Sequence, residues 1–98
     1  MVRHIVMWTL QEEALGHTAA ENAQEMKVRL EALAGKVPGL VSIEVGINFL
    51  PGNYDVALVS VHDDREALAV YADHPDHVKV KGFIGQVVTG RVACDYEF

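Results

Sequence analysis

The sequence has 98 residues, half of them hydrophobic and 22% charged, which is the size of one domain and excludes a multi-domain enzyme, a collagen-like repeat or a disordered tail. Eight Lys and Arg against fourteen Asp and Glu leave a formal charge of −6, which argues against a nucleic-acid or anionic-membrane surface. The apolar half is large for a domain that should bury about two-thirds of its unfolded surface. The surplus is expected to lie against another subunit or around a cavity.

A single cysteine, Cys94, cannot form a disulfide within one chain. No run approaches the roughly 20 apolar residues of a membrane span, and the N-terminus lacks a secretory signal pattern. One domain over residues 1–98, in a reducing cytoplasm, is therefore expected.

In chain order, Arg3 to Leu10 predicts a first strand, with His4, Val6, Trp8 and Leu10 on one face and Ile5, Met7 and Thr9 on the other. Gln11 to Gly16 predicts a polar connection. Thr18 and Glu21 have capping-box spacing, and Ala19, Ala23, Met26, Leu30 and Leu33 then form one helical stripe, stopped by Gly35 and Pro38-Gly39. Leu40 to Phe49 predicts a second strand with one more polar face, and Pro51-Gly52-Asn53 a turn. Tyr54 to His62 predicts a third strand, apolar on both faces. Asp63 or Asp64 should cap a short helix with Leu68, Tyr71 and Ala72 inward. His74-Pro75 should end it and start another, with Val80, Phe83, Ile84 and Val87 as its stripe. Gly90 to Phe98 predicts a last strand, Val92, Cys94, Tyr96 and Phe98 alternating with Arg91, Ala93, Asp95 and Glu97.

The order is β-α-β-β-α-β with a divided second helix, an α+β ferredoxin-like plan with a four-stranded antiparallel sheet. Helices cover one face only. The first and third strands are apolar on both, so a homodimer with sheets face to face is expected.

The unusual segment is Tyr71-Ala72-Asp73-His74-Pro75-Asp76-His77-Val78. Here His77 suits a general base near neutral pH, and Tyr71 a donor to a developing oxyanion. The competing reading has His74 capping a helix, His77 bonding across the kink and Tyr71 packing as core. A metal site of His74, Asp76 and His77 with Asp73 is conceivable but needs a convergent geometry that spacing alone does not supply, and neither a metal nor a cofactor is expected. His4 suits a pocket floor or a satisfied core position, and Trp8 suits ligand stacking or core filling. His17 and His62 are expected in solvent. Arg91 and Asp95 share a strand face and could pair or face water.

The opening Val-Arg-His-Ile-Val-Met-Trp, the Gly39-Leu40 turn, Tyr54-Asp55, Tyr71-x-x-His74-Pro75-x-His77-Val78 and the closing Asp95-Tyr96 resemble the stress-responsive A/B-barrel (Dabb) domains over the whole chain. The resemblance implies a dimeric α/β barrel of ferredoxin-like protomers, with a small hydrophobic or aromatic molecule as ligand. Members include a plant stress protein that builds rings from dimers and a plant polyketide cyclase that closes an aromatic ring without a cofactor. By that resemblance the cyclase's catalytic tyrosine and histidine match Tyr71 and His77. His4 matches a further pocket histidine, and Val6, Trp8, Met26, Leu30 and Ile43 match pocket-lining positions. Val56 stands where the cyclase has another histidine, and Trp8 and Arg91 where it has smaller or apolar residues. A third reading, a heme or quinol monooxygenase of the related dimeric barrels, would need an axial histidine or an Asn-Trp pair. Trp8 is present without that pair.

Overall fold

A computed structural model describes all residues, Met1–Phe98. Strand β1 (Val2–Leu10) leads into a two-residue hairpin, β2 (Glu13–Ala14) and β3 (His17–Thr18), and then helix α1 (Ala19–Glu31). Strands β4 (Leu40–Ile47) and β5 (Val56–His62) follow, then helices α2 (Arg65–Asp73) and α3 (Pro75–Val87) and strand β6 (Val88–Glu97). The four long strands form one antiparallel sheet in the order β4-β5-β1-β6, the ferredoxin-like plan expected from the pattern.

The caps act as their residue types predict. Thr18 Oγ1 accepts from the Glu21 amide while the Glu21 carboxylate accepts from the Thr18 amide. Asp64 caps α2 through the Ala67 amide, and His74 caps α3 through the Asp76 amide with Pro75 in the first turn. Gly39, at φ +81°, has no room for a side chain, because an added Cβ would lie 2.5 Å from Ala67 Cβ.

Three local details differ from the sequence expectation. The polar connection contains the β2–β3 hairpin, whose Leu15 and Gly16 both take positive φ, as a tight I′-type turn requires. Strand β4 stops at Ile47, because Asn48 turns the chain by bonding Leu50 through both amide atoms. Strand β6 begins at Val88 with no loop after α3; Gly90 instead packs close to Thr9, where a Cβ would meet the hydroxyl at 2.8 Å.

The register sorts the two faces. Val6, Trp8, Leu10, Val45, Val56 and Leu58 point toward the helices and join Met26, Leu30, Tyr71, Phe83, Ile84 and Val87 in one core. Ile5, Met7, Ala57, Val59, Val61, Val92, Cys94 and Tyr96 point to the other face, which no element of the chain covers. Much of the apolar surplus lies there. At the β4 edge, Lys27 donates to the Val45 carbonyl at 2.6 Å and Glu31 accepts from the Val45 amide at 3.0 Å, so α1 blunts that edge. No helix is long and apolar enough to cross a membrane.

Candidate functional site

Four side chains from four elements meet beneath the helices: His4 on β1, His62 closing β5, Tyr71 in α2 and His77 in α3. In the β1–β5 ladder His4 pairs with Ser60 and Val2 with His62, which makes the two histidines diagonal neighbours on the inner face. The break at His74-Pro75 changes the helix direction, so Tyr71 and His77 can both face the sheet. The Tyr71 ring stacks on His77 with centroids 3.9 Å apart and lies 4.8 Å from His62 and 6.2 Å from His4.

The protonation states follow from burial. His77 Nδ1 approaches the Ala72 carbonyl at 3.3 Å. A carbonyl only accepts, so Nδ1 carries the hydrogen and Nε2 keeps its lone pair in the neutral ring. Burial, more than any neighbour, pulls the His77 pKa below its ordinary 6.5. His62 is fully buried and shifted the same way, first by desolvation and then by repulsion from His4. Its Nε2 is 2.9 Å from Ser60 Oγ, and its Nδ1 has no partner. The Tyr71 hydroxyl is also buried and unpartnered, and burial pushes its pKa up to about 12. At neutral pH it is a donor without an acceptor. His4 is held at Nδ1 by the Asp95 carboxylate across the β1–β6 ladder.

Beside this cluster a cavity of about 210 Å³ opens between the sheet and α3. His4, Val6, Trp8, Leu30 and Leu58 form its floor and back, and His77, Lys81, Ile84 and Gly85 its helical wall. Val88 and Arg91 of β6 form its outer side. Of the residues singled out in the sequence, His4, Val6, Trp8, Leu30 and His77 meet here. Tyr71 backs the wall, stacked behind His77. Met26 is fully buried in the core and Ile43 half-buried on β4, and neither reaches the cavity. His74 is committed to its cap and does not converge with His77.

Two sequence expectations are corrected. His62 is buried, not solvated; continuing the Val56, Leu58, Ser60 alternation by one step places it inside. Arg91 and Asp95 do not pair, since four residues along a strand is about 13 Å and Asp95 is taken by His4.

The sequence profile of the Stress responsive A/B Barrel Domain (Dabb) matches residues 2–98. The chain belongs to this family. No curated protein sequence matches it. Among solved structures it is similar to a dimeric protein of unknown function and ferredoxin-like fold from Bacteroides fragilis. The identity is 33%, covering 99% of this chain and 95% of that one, with a TM-score of 0.86. A Dabb family protein with a ferredoxin-like fold from Mesorhizobium loti is 24% identical over 98% and 94% of the two chains, at a TM-score of 0.77. The cofactor-independent oxygenase SnoaB from Streptomyces nogalater shares the fold alone, at 14% identity over 99% and 91% and a TM-score of 0.76. The A/B barrel domain thus holds its cavity and its Tyr-His cluster on a fold that does not by itself assign a reaction.

Proposed function

We propose that this A/B barrel domain is a cytoplasmic homodimer in which each protomer binds a small hydrophobic or aromatic molecule in the cavity beside Trp8. The cavity carries the reading: an apolar back with one indole faces two histidines, the arrangement that lets a ligand bury a body and orient a polar group. The uncovered apolar face of the sheet supports the dimer, as does the dimeric state given for the Bacteroides fragilis relative.

Trp8 is the single tryptophan, so its fluorescence reports on the cavity alone. Small aromatic and short-chain probes should change that emission saturably. Gly85→Phe should abolish the response, because a side chain at Gly85 meets nothing within 4 Å and would occupy the opening. Emission indifferent to every probe, in wild type and variant alike, would remove the reading. Sedimentation equilibrium should give about twice the 10.8 kDa chain mass, and larger multiples would show rings of dimers.

A second reading is a cofactor-independent cyclase of polyketide-like substrates, with His77 as base and Tyr71 as oxyanion donor. It is favoured by the neutral His77 ring with a free Nε2 lone pair and by the unpartnered Tyr71 hydroxyl behind it. Tyr71→Phe and His77→Ala should each lower turnover by about 10²–10⁴. Equal turnover in both variants on a substrate that the wild type converts would exclude the roles.

A further inference from the structure

The cavity has a charge that its apolar lining does not explain. Two of the eight basic residues, Lys81 and Arg91, stand at it, in a chain with fourteen acidic ones. Every other arginine is engaged: Arg3 with the Tyr96 hydroxyl and the Phe98 ring, Arg29 with Glu25, Arg65 with Glu97. Arg91 enters no ion pair or hydrogen bond with the protein, and Lys81 meets only the Ala72 carbonyl, a neutral acceptor. The nearest acids on β6 are already held, Asp95 by His4 and Glu97 by Arg65. The β1–β6 register sets Arg91 directly opposite Trp8 on the inner face, so an unpaired guanidinium borders the apolar back of the cavity.

We infer that the ligand is a small carboxylate, its apolar body against Trp8, Val6 and Ile84 and its carboxylate toward Arg91 and Lys81. The inference rests on the ligand-binding reading above and narrows it. A planar guanidinium matches a carboxylate through two parallel hydrogen bonds, and a lysine beside it adds a point charge. An engineered cavity of about 150 Å³ admits benzene. The present 210 Å³ therefore accommodates one ring bearing a carboxylate, or a chain of comparable volume. A phosphate dianion would want more donors than two basic side chains beside a largely apolar lining.

The test is a Trp8 fluorescence titration with benzoate, its neutral counterpart benzamide, and phenyl phosphate, on wild type, Arg91→Gln and Lys81→Gln. Both substitutions lie at exposed positions, and unchanged thermal unfolding would confirm that the fold is kept. Wild type should bind benzoate at least tenfold tighter than benzamide, the size of one charge-assisted contact. Arg91→Gln should bring the two within about threefold of each other by weakening benzoate alone, and Lys81→Gln should act in the same sense. Equal affinity for benzoate and benzamide in wild type, or preference for phenyl phosphate, would overturn the carboxylate assignment while leaving the cavity reading in place. No saturable response to any of the three would overturn both.

Discussion

Replacing Tyr71 by Phe should make this protein more stable, against the usual direction for a buried tyrosine. The side chain is 1% exposed and its hydroxyl has no partner. A hydroxyl taken from water without a new hydrogen bond costs about 1–3 kcal/mol by mutational measure. Phenylalanine removes that cost and keeps the ring stacked on His77 and tilted against His62. The missing oxygen leaves a small void that returns part of the gain, so the expected net effect is a stabilisation of about 1 kcal/mol. For a domain of this size that corresponds to a rise in Tm of about 4–8 °C. Thermal and urea unfolding of wild type and Tyr71→Phe at equal protein concentration would measure it, since the proposed dimer would make both midpoints concentration-dependent. A fall in Tm of several degrees would refute the reasoning. It would mean that the hydroxyl is hydrogen-bonded in solution. On the cyclase reading proposed above, the expected pattern is higher stability with weaker turnover.

Stability should also fall on acidification well before carboxylates titrate. His62 and His77 have pKa values below 6.5 in the fold, so the unfolded chain binds more protons as pH drops through 6.5. Their stabilising contribution is complete above that pH and is lost until the folded pKa values are passed, at no more than about 1.4 kcal/mol per pH unit for each histidine. His62→Gln should flatten the slope in urea unfolding between pH 6.5 and 5; an unaltered slope would show that His62 does not contribute. Glu21 and Glu31, held below their usual 4.5 by hydrogen bonds from Thr18 and Lys27, extend the loss at lower pH. Gly39→Ala should cost about 2–4 kcal/mol, combining left-handed backbone strain with the Ala67 contact. Adding Ala67→Gly should relieve only the contact, and full recovery would mean that the backbone is not strained. Ile5→Glu, on the uncovered sheet face, should raise the dimer dissociation constant at least a hundredfold in sedimentation equilibrium. A dimer of wild-type affinity would place the interface elsewhere.

Element by element, the local chemistry of the sequence sufficed wherever a feature depends on neighbours along the chain. The capping box at Thr18, the break at His74-Pro75 and the two-residue alternation of β1, β5 and β6 needed nothing distant, so element order, sheet plan and apolar faces were legible. Local pattern was less informative at Leu15, because a positive φ at a leucine is imposed by the hairpin rather than preferred by the residue. The site was legible in part. Of the positions that the family resemblance matched, His4, Val6, Trp8, Leu30 and His77 line the cavity, but periodicity marks a face and does not say which part of it stays open. Met26 and Leu30 share one helical stripe, yet only Leu30 reaches the cavity. His62, read from its place at a strand end, is enclosed because α2 packs over that end of the sheet. The isolation of Arg91 follows from the β1–β6 register, which gives Asp95 to His4 and sets Arg91 beside Trp8. The sequence alone thus determined which residues turn inward as a class. The tertiary structure decided which of them touch, since distances between elements depend on register and packing that no local preference encodes.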